Sequence, residues 1–405
     1  GDIGGLEASK VRGLLATDFP LHLVGACGPS RRDALVRGCG EAVERFALLN
    51  VGGADAVAGT AADIGETALH CWDDGLGAPG AADACLRWYE GRRLRTGGVV
   101  QVPAPLVDYP PTDENAARLF DPSPSGAASG QGYSHALRNA LLEIVERDAV
   151  MSAWASQAAL PRVDADQALA VLPDSAAARE FARLVASARA IGLDLMLARI
   201  PTAVAGVSCV LCGVVDRSSG SPLAAAGCRI SAAAADGLAG ALREALQVRS
   251  VLLGVRRQYA GQPMPPEVRG DLDRARFWAA APACAAFESW SASWPVAEIE
   301  PDAAGARPEP PEPDVLVAAL AADGADPVAV DLTHRLPEPL RDMGWAAAKV
   351  IAPGYQPLLI DERNTFVWCA DRFGALARRL GVNSGDGPPA LGQPRRPYPV
   401  PHPLI

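Results

Sequence analysis

Apolar residues recur at helical spacing in three long stretches of this chain. In "LRNALLEIVERDAV" (137–150), Leu137, Leu141, Ile144 and Val145 share one side of a 3.6-residue helix, and Glu143, Glu146 and Arg147 occupy another arc. "RGCGEAVERFALL" (37–49) repeats the arrangement with Glu41, Glu44 and Arg45. Ser30 is placed to cap that helix, and Asp33 lies in its first turn. "SAAAADGLAGALREALQVRSVLLG" (231–254) predicts a third long helix.

Shorter apolar runs predict strands. "WYEGRRLRTGGVVQVPAPLVDYPP" (88–111) gives two strands joined through Gly97–Gly98, then a Pro-rich loop. "LDLMLARIP" (193–201), "GVSCVLCGVVDR" (206–217), "DPVAVDLTHR" and "WAAAKVIAPGYQPLL" predict four more. Gly and Ser dominate 122–134 and lead into the second helix near Ser134. The acidic, Pro-rich stretch 301–314 is expected as a surface loop or linker. The end, "RRPYPVPHPLI", alternates Pro397, Pro399, Pro401 and Pro403, which predicts an extended, polyproline-like tail. Helices and strands interleave, so the fold class expected is α/β (mixed α+β), without the periodic repeat of a solenoid.

Composition narrows the function. The 405 residues suffice for a large core, and 40 Gly with 35 Pro suit a fold with many turns. A net charge of −10 and a pI near 5.1 argue against nucleic acid or an anionic membrane as partner. No apolar stretch reaches the ~20 residues of a membrane-spanning helix. The opening "GDIGGLEASK" lacks the pattern of a secretory signal, so a cytoplasmic location is expected. Nine cysteines are scattered, and the one close pair, Cys209 and Cys212, falls on a predicted strand that points them to opposite faces. Buried free thiols are the expected reading, not a metal or redox pair.

The two E-x-x-E-R helices carry the chemistry. Residues three apart lie on the same side of a helix, so two such helices meeting face to face would gather Glu41, Glu44, Glu143 and Glu146. Four carboxylates repel one another, and Mg²⁺ with its preference for oxygen ligands would relieve that repulsion. The third helix adds Glu244, Gln247 and Arg249, which with Arg45 and Arg147 suit phosphate oxygens. Carboxylates, magnesium and guanidinium groups together make a phosphoryl-transfer site. The chain has no G-x-x-x-x-G-K-[ST] loop. On spacing alone E-x-x-E-R is more often a solvated helix face with an internal ion pair, and the pattern by itself does not displace that reading.

The order of segments resembles the YcaO family, ATP-dependent enzymes that activate peptide backbone amides. "GEAVERFA" (40–47), "LLEIVERDA" (141–149) and "ALREALQVR" (241–249) are similar to its three ligand-bearing helices. "LRTGGVVQVPAPLV" (94–107) and "VDLTHRLPEPLRDMGWAAAKVIAPGYQPL" (330–358) resemble two of its strand regions. The resemblance implies a mixed α/β domain that binds ATP and Mg²⁺, over residues 1–391, with Pro-rich tail 392–405 reaching the active site. By it Glu41, Glu44, Glu143 and Glu146 would hold Mg²⁺ and phosphates, joined by Arg45, Arg147, Glu244, Gln247 and Arg249. The sequence departs from the family where Arg37 replaces a common Ser, and where Gln131, Ser134 and His135 replace an Asn and a Glu pair.

Azoline-forming members tend to end in P-x-P-x-P, and this chain ends P-Y-P-V-P-H-P-L-I. The resemblance then implies a cyclodehydratase acting on Cys, Ser or Thr of a ribosomal precursor peptide, with Pro399, Pro401 and Pro403 delivering the Ile405 carboxylate to the site. A disordered tail, a catalytically degenerate scaffold subunit and a thioamide- or amidine-forming enzyme stand as alternatives. The expected partners are the precursor peptide, a leader-binding E1-like protein, a flavin dehydrogenase in the same complex and a second copy of the chain.

Overall fold

Ser30 caps the first long helix through its side-chain oxygen, which accepts from the Asp33 backbone N–H at 3.2 Å. The computed structural model describes residues 7–12, 23–49, 56–70, 75–111, 113–218, 220–298, 308–381 and 397–405. In chain order the strands begin with β1 (Glu7–Arg12), β2 (Leu23–Gly28), β3 (Val57–Gly59), β4 (Leu86–Arg93), β5 (Val99–Pro103) and β6 (Ala127–Gln131). They continue with β7 (Arg162–Val163), β8 (Leu193–Pro201), β9 (Ser208–Asp216), β10 (Leu223–Ser231), β11 (Val328–Asp331) and β12 (Trp345–Ile351). The helices begin with α1 (Arg31–Leu48), α2 (Ala61–Ile64), α3 (Glu114–Leu119), α4 (Tyr133–Ser156), α5 (Ala165–Val171) and α6 (Ala176–Ala190). They end with α7 (Ala234–Gln258), α8 (Asp271–Trp278), α9 (Ala281–Ser291), α10 (Pro313–Ala322), α11 (Glu338–Asp342) and α12 (Ala370–Arg379).

The strands pair antiparallel in two main sheets. One runs β3-β4-β11-β12-β6 with β5 also on β4, and the other runs β10-β9-β8-β7. β1 and β2 form a separate pair. Helix α4 packs against β6 and β12 of the first sheet and against β8, β9 and β10 of the second. That position explains its sequence. Its C-terminal half, Asp148–Ala155, is buried without a break, as a helix enclosed on all sides requires. The one charge buried there, Asp148, is met by Arg372 of α12 in two bonds of 2.7 and 2.8 Å.

Helix α7 lies directly on β10 because Gly227 lets it. A Cβ at Gly227 would sit 2.3 Å from Ala245 N and 2.5 Å from Ala241 O. Cys209 and Cys212 are buried free thiols, as expected, whereas Cys71 lies outside the described residues. The Pro-rich stretch 301–314 falls partly outside them as well, and its end, from Pro313, is the first turn of α10 and not loop.

The boundary expected at 391/392 also lies outside the described residues, but residues 397–405 are held firmly. Tyr398 N–H donates to Ala155 O at 2.9 Å. Trp154 Nε1–H donates to Val400 O (2.9 Å) and Trp278 Nε1–H to His402 O (2.8 Å). His402 Nε2–H donates to Leu359 O at 2.6 Å, and burial beside Arg274 holds its ring neutral. Bends at 399–400 and at 403 break the uniform polyproline form that the alternating prolines predict. The anchoring carbonyls belong to Val400 and His402, residues between the prolines.

Candidate active site

A cleft of about 590 Å³ opens where α1, α4 and α7 converge. Glu41, Glu44 and Arg45 line it from α1, Glu143, Glu146 and Arg147 from α4, and Glu244 and Gln247 from α7. Ile405 at the chain's end also lines it and is 38% exposed. Pro399, Pro401 and Pro403 do not line it; they precede Ile405 in the anchored tail. The site is therefore assembled from three helices, the start of β6, the end of β10, β2 and the C-terminus.

The carboxylates fall into two groups rather than one ring. Glu44 is pushed up to about 8 by burial and by the charges of Glu143 and Glu41, with Arg45 opposing. Burial, with Glu143, also raises Glu41, whose carboxylate sits 3.8 Å from Arg45. The second group is Glu146 and Glu244. Burial and the nearby Glu146 raise Glu244 to about 7. These two side chains also brace β10: Glu146 accepts from Ile230 N–H at 2.6 Å and Glu244 from Cys228 N–H at 2.8 Å. Arg147 bridges the groups, reaching Glu143 at 3.1 Å and Glu146 at 3.4 Å.

The cleft also has a cationic part. Arg37, Arg229 and Arg243 line it, and burial together with the Arg243 and Arg229 charges lowers the Arg37 guanidinium. Arg243 is held by Glu180 of α6 at 2.7 Å. Gly240 makes room here, because a Cβ on it would meet the Arg229 Cγ at 2.6 Å. Arg229 and Arg243 are not among the residues singled out from sequence. Arg243 adjoins Glu244 in the quoted helix, but Arg229 sits on β10, whose run of small residues carries no alternation to mark it.

Gln247 and Arg249 part company. Gln247 Nε2–H donates to Gly25 O at 2.6 Å and ties α7 to β2 at the cleft. Arg249 lies elsewhere, with its Nε–H on Asp216 at 2.8 Å, and is no part of the cleft. Five residues from Glu244 is about 140° around a helix, so the two cannot share a face. Of the positions that depart from the family pattern, Arg37 lines the cleft while Gln131, Ser134 and His135 lie outside it; Asn139, one turn on, does line it.

The residue set suits a ligand that is cation and polyanion at once. Raised carboxyl groups would be relieved by a divalent cation, and the depressed Arg37 by an anion. Among the described residues no three His, Cys, Asp or Glu side chains form a metal cage by themselves. A hard cation here would need oxygens from water and from a bound phosphate chain, which is how Mg²⁺ commonly sits with nucleotides. The fit to Mg²⁺ with ATP is therefore good. No described helix is long and apolar enough to cross a membrane.

Residues 25–356 match the family model described as YcaO cyclodehydratase, ATP- and Mg²⁺-binding. No curated protein matches the chain in sequence. A solved heterocyclase in complex with substrate and cofactor is similar at a TM-score of 0.68 and 18% identity, over 94% of this chain and 50% of that one. YcaO from Methanopyrus kandleri bound with AMPPCP and Mg²⁺ gives 0.60 and 19%, over 88% and 84%. A chain of the E. coli microcin synthetase McbBCD complex with pro-MccB17 bound gives 0.62 and 12%, over 86% and 88%. This chain thus spans half the length of the first of these proteins. At such identities the similarity is one of fold.

Proposed function

Because the chain belongs to the YcaO family of ATP- and Mg²⁺-binding cyclodehydratases, we propose that it converts Cys, Ser or Thr residues of a ribosomal precursor peptide to azolines. In that reaction a side-chain thiol or hydroxyl adds to the preceding amide carbonyl, and the carbonyl oxygen finally leaves. An amide oxygen is a very poor leaving group; bound ATP with Mg²⁺ supplies the phosphoryl group that makes it a good one.

The protein's residues take separate parts. Glu41, Glu44 and Glu143 on one side and Glu146 and Glu244 on the other would hold the cation, the last two while each also accepts a β10 N–H. Arg37, Arg229 and Arg243 would hold the phosphates and offset charge as it builds up on transfer. Arg45 opposes the rise of Glu41 and Glu44, and Arg147 orients Glu143 and Glu146. Carried by a tail anchored on Trp154 and Trp278, the Ile405 carboxylate would orient the peptide amide or take a proton from it.

The observation that carries the reading is the convergence of carboxylates, arginines and Ile405 on one cleft. A leader-binding E1-like partner, a flavin dehydrogenase that oxidises the rings and pairing with a second copy belong to the same proposal. The test is mass spectrometry of a candidate precursor peptide incubated with this protein, its partner and ATP. Loss of one water mass per ring supports the proposal. Nucleotide binding without any such loss would assign the chain to thioamide or amidine chemistry, and absence of nucleotide binding to a scaffold role.

A further inference from the structure

Beside the nucleotide cleft lies a second cavity, of about 60 Å³, and the two share Arg147 as a wall. Its lining is mainly aliphatic, with Ile144 one helical turn from Arg147 and Val350, Ile351 and Ala352 from the end of β12 and just beyond. Set into that lining, besides Arg147, are Asp121, Ser123, Ser125, Lys349, Tyr355 and Gln356. Lys349 is buried, and its ammonium donates to Ser123 O and Ser125 O, both at 2.6 Å. It lies within electrostatic reach of Glu143 and Glu44.

Two polar atoms here are buried without a partner: the Ser125 hydroxyl and the Arg147 Nε–H. Ser125 as a whole is 8% exposed. Buried polar atoms normally find partners, so these two point to a ligand that completes them.

Size and wall chemistry restrict that ligand. A water needs roughly 10–15 Å³ of such volume, and a benzene-sized guest on the order of 150 Å³. The cavity therefore holds a few waters or one small side chain, and neither a nucleobase nor an aromatic ring. Each water wants two to four polar partners, whereas Asp121, Tyr355, Gln356 and Lys349 are already bonded within the protein, which leaves the Ser125 hydroxyl and the Arg147 Nε–H. A short side chain with an apolar stem and one polar atom fits better.

We propose that this cavity is the acceptor subsite, taking the reacting Cys, Ser or Thr side chain of the peptide while Arg147 sets its preceding amide against the cleft. The proposal rests on the cyclodehydratase reading above. Ser125 then sorts the substrates. A hydroxyl needs the Ser125 hydrogen bond, whereas a thiol behaves as a small apolar group and needs it less.

The test uses acetyl-Gly-Cys-amide, acetyl-Gly-Ser-amide and acetyl-Gly-Phe-amide, titrated into the full chain saturated with AMPPCP and Mg²⁺ and followed by ligand-observed NMR. The Cys and Ser probes are expected to bind and the Phe probe not. Ala352→Leu, which fills the cavity, should weaken both binders at least tenfold with AMPPCP affinity within twofold of wild type. Ser125→Ala, which keeps the backbone carbonyl used by Lys349, should weaken the Ser probe severalfold more than the Cys probe, and it serves alone if Ala352→Leu does not fold. Equal binding by wild type and variants, binding of the Phe probe, or no probe binding to the AMPPCP-loaded wild type would overturn the subsite alone. A wild type that binds no AMPPCP removes the functional reading, and the subsite with it.

Discussion

Glu44→Gln keeps the length of a cleft side chain and removes its titration. In the folded chain the Glu44 carboxyl is raised from its ordinary value near 4.5 to about 8. Between those values the unfolded chain has lost a proton that the native chain retains, so stability falls as pH rises. The contribution is fully present below pH ~4.5 and is lost toward pH ~8. A single isolated group would cost ~3.4 kcal/mol by pH 7, at ~1.36 kcal/mol per unit. Glu44 lines an open cleft and shares its charge with Glu41 and Glu143, so ~2 kcal/mol is the discounted figure. With an unfolding entropy of ~2.1 cal/mol/K per residue, a chain of this size shifts by ~1.2 °C per kcal/mol. Glu44→Gln should therefore melt ~2 °C above wild type at pH 7.5 in EDTA, and the gap should close toward pH 5. Mg²⁺ with AMPPCP should reverse the order, because the cation takes the place of the proton on wild type and has no carboxylate to bind in the variant. Differential scanning fluorimetry over pH 5–8 reads both effects. A gap independent of pH, or equal gains from Mg²⁺ and AMPPCP in both proteins, would refute the reasoning.

Three further outcomes are expected. Removing residues 401–405, or appending residues after Ile405, should suppress ring formation far more than it weakens AMPPCP binding; unchanged product by mass spectrometry in both would take the carboxylate out of the mechanism. Arg249→Ala should leave AMPPCP affinity within twofold, yet cost ~2 kcal/mol in urea denaturation by stripping the guanidinium from buried Asp216. Arg372→Ala leaves Asp148 charged and buried inside α4 and should cost ~3–5 kcal/mol, with an intact midpoint in urea speaking against that ion pair.

The long helices were legible because each leaves one side against the core and one toward the cleft, so α1 and α4 show a clear apolar period around the E-x-x-E-R sets. The tail was legible as an extended segment from its prolines, but its anchors were not. Trp154, Trp278 and Arg274 lie more than a hundred residues earlier, and nothing local links them to Val400 or His402. Strand β10 carries no local signal for a different reason. It is covered by α7 on one side and by α4 and α9, so small apolar residues fill both faces and no alternation survives. With it went Arg229 and the cationic part of the cleft. The motif that holds Glu244, Gln247 and Arg249 does not show that helical geometry sets Arg249 across the cylinder from Glu244.

The central claim is that the cleft binds nucleotide through a cation held by the helix carboxylates, and calorimetric titration of AMPPCP with and without Mg²⁺ tests it most directly. Wild type should bind one AMPPCP per chain only when Mg²⁺ is present, and Glu41→Gln should bind it at least tenfold more weakly. Binding that ignores Mg²⁺, equal affinity in Glu41→Gln, or no binding in wild type would contradict the account.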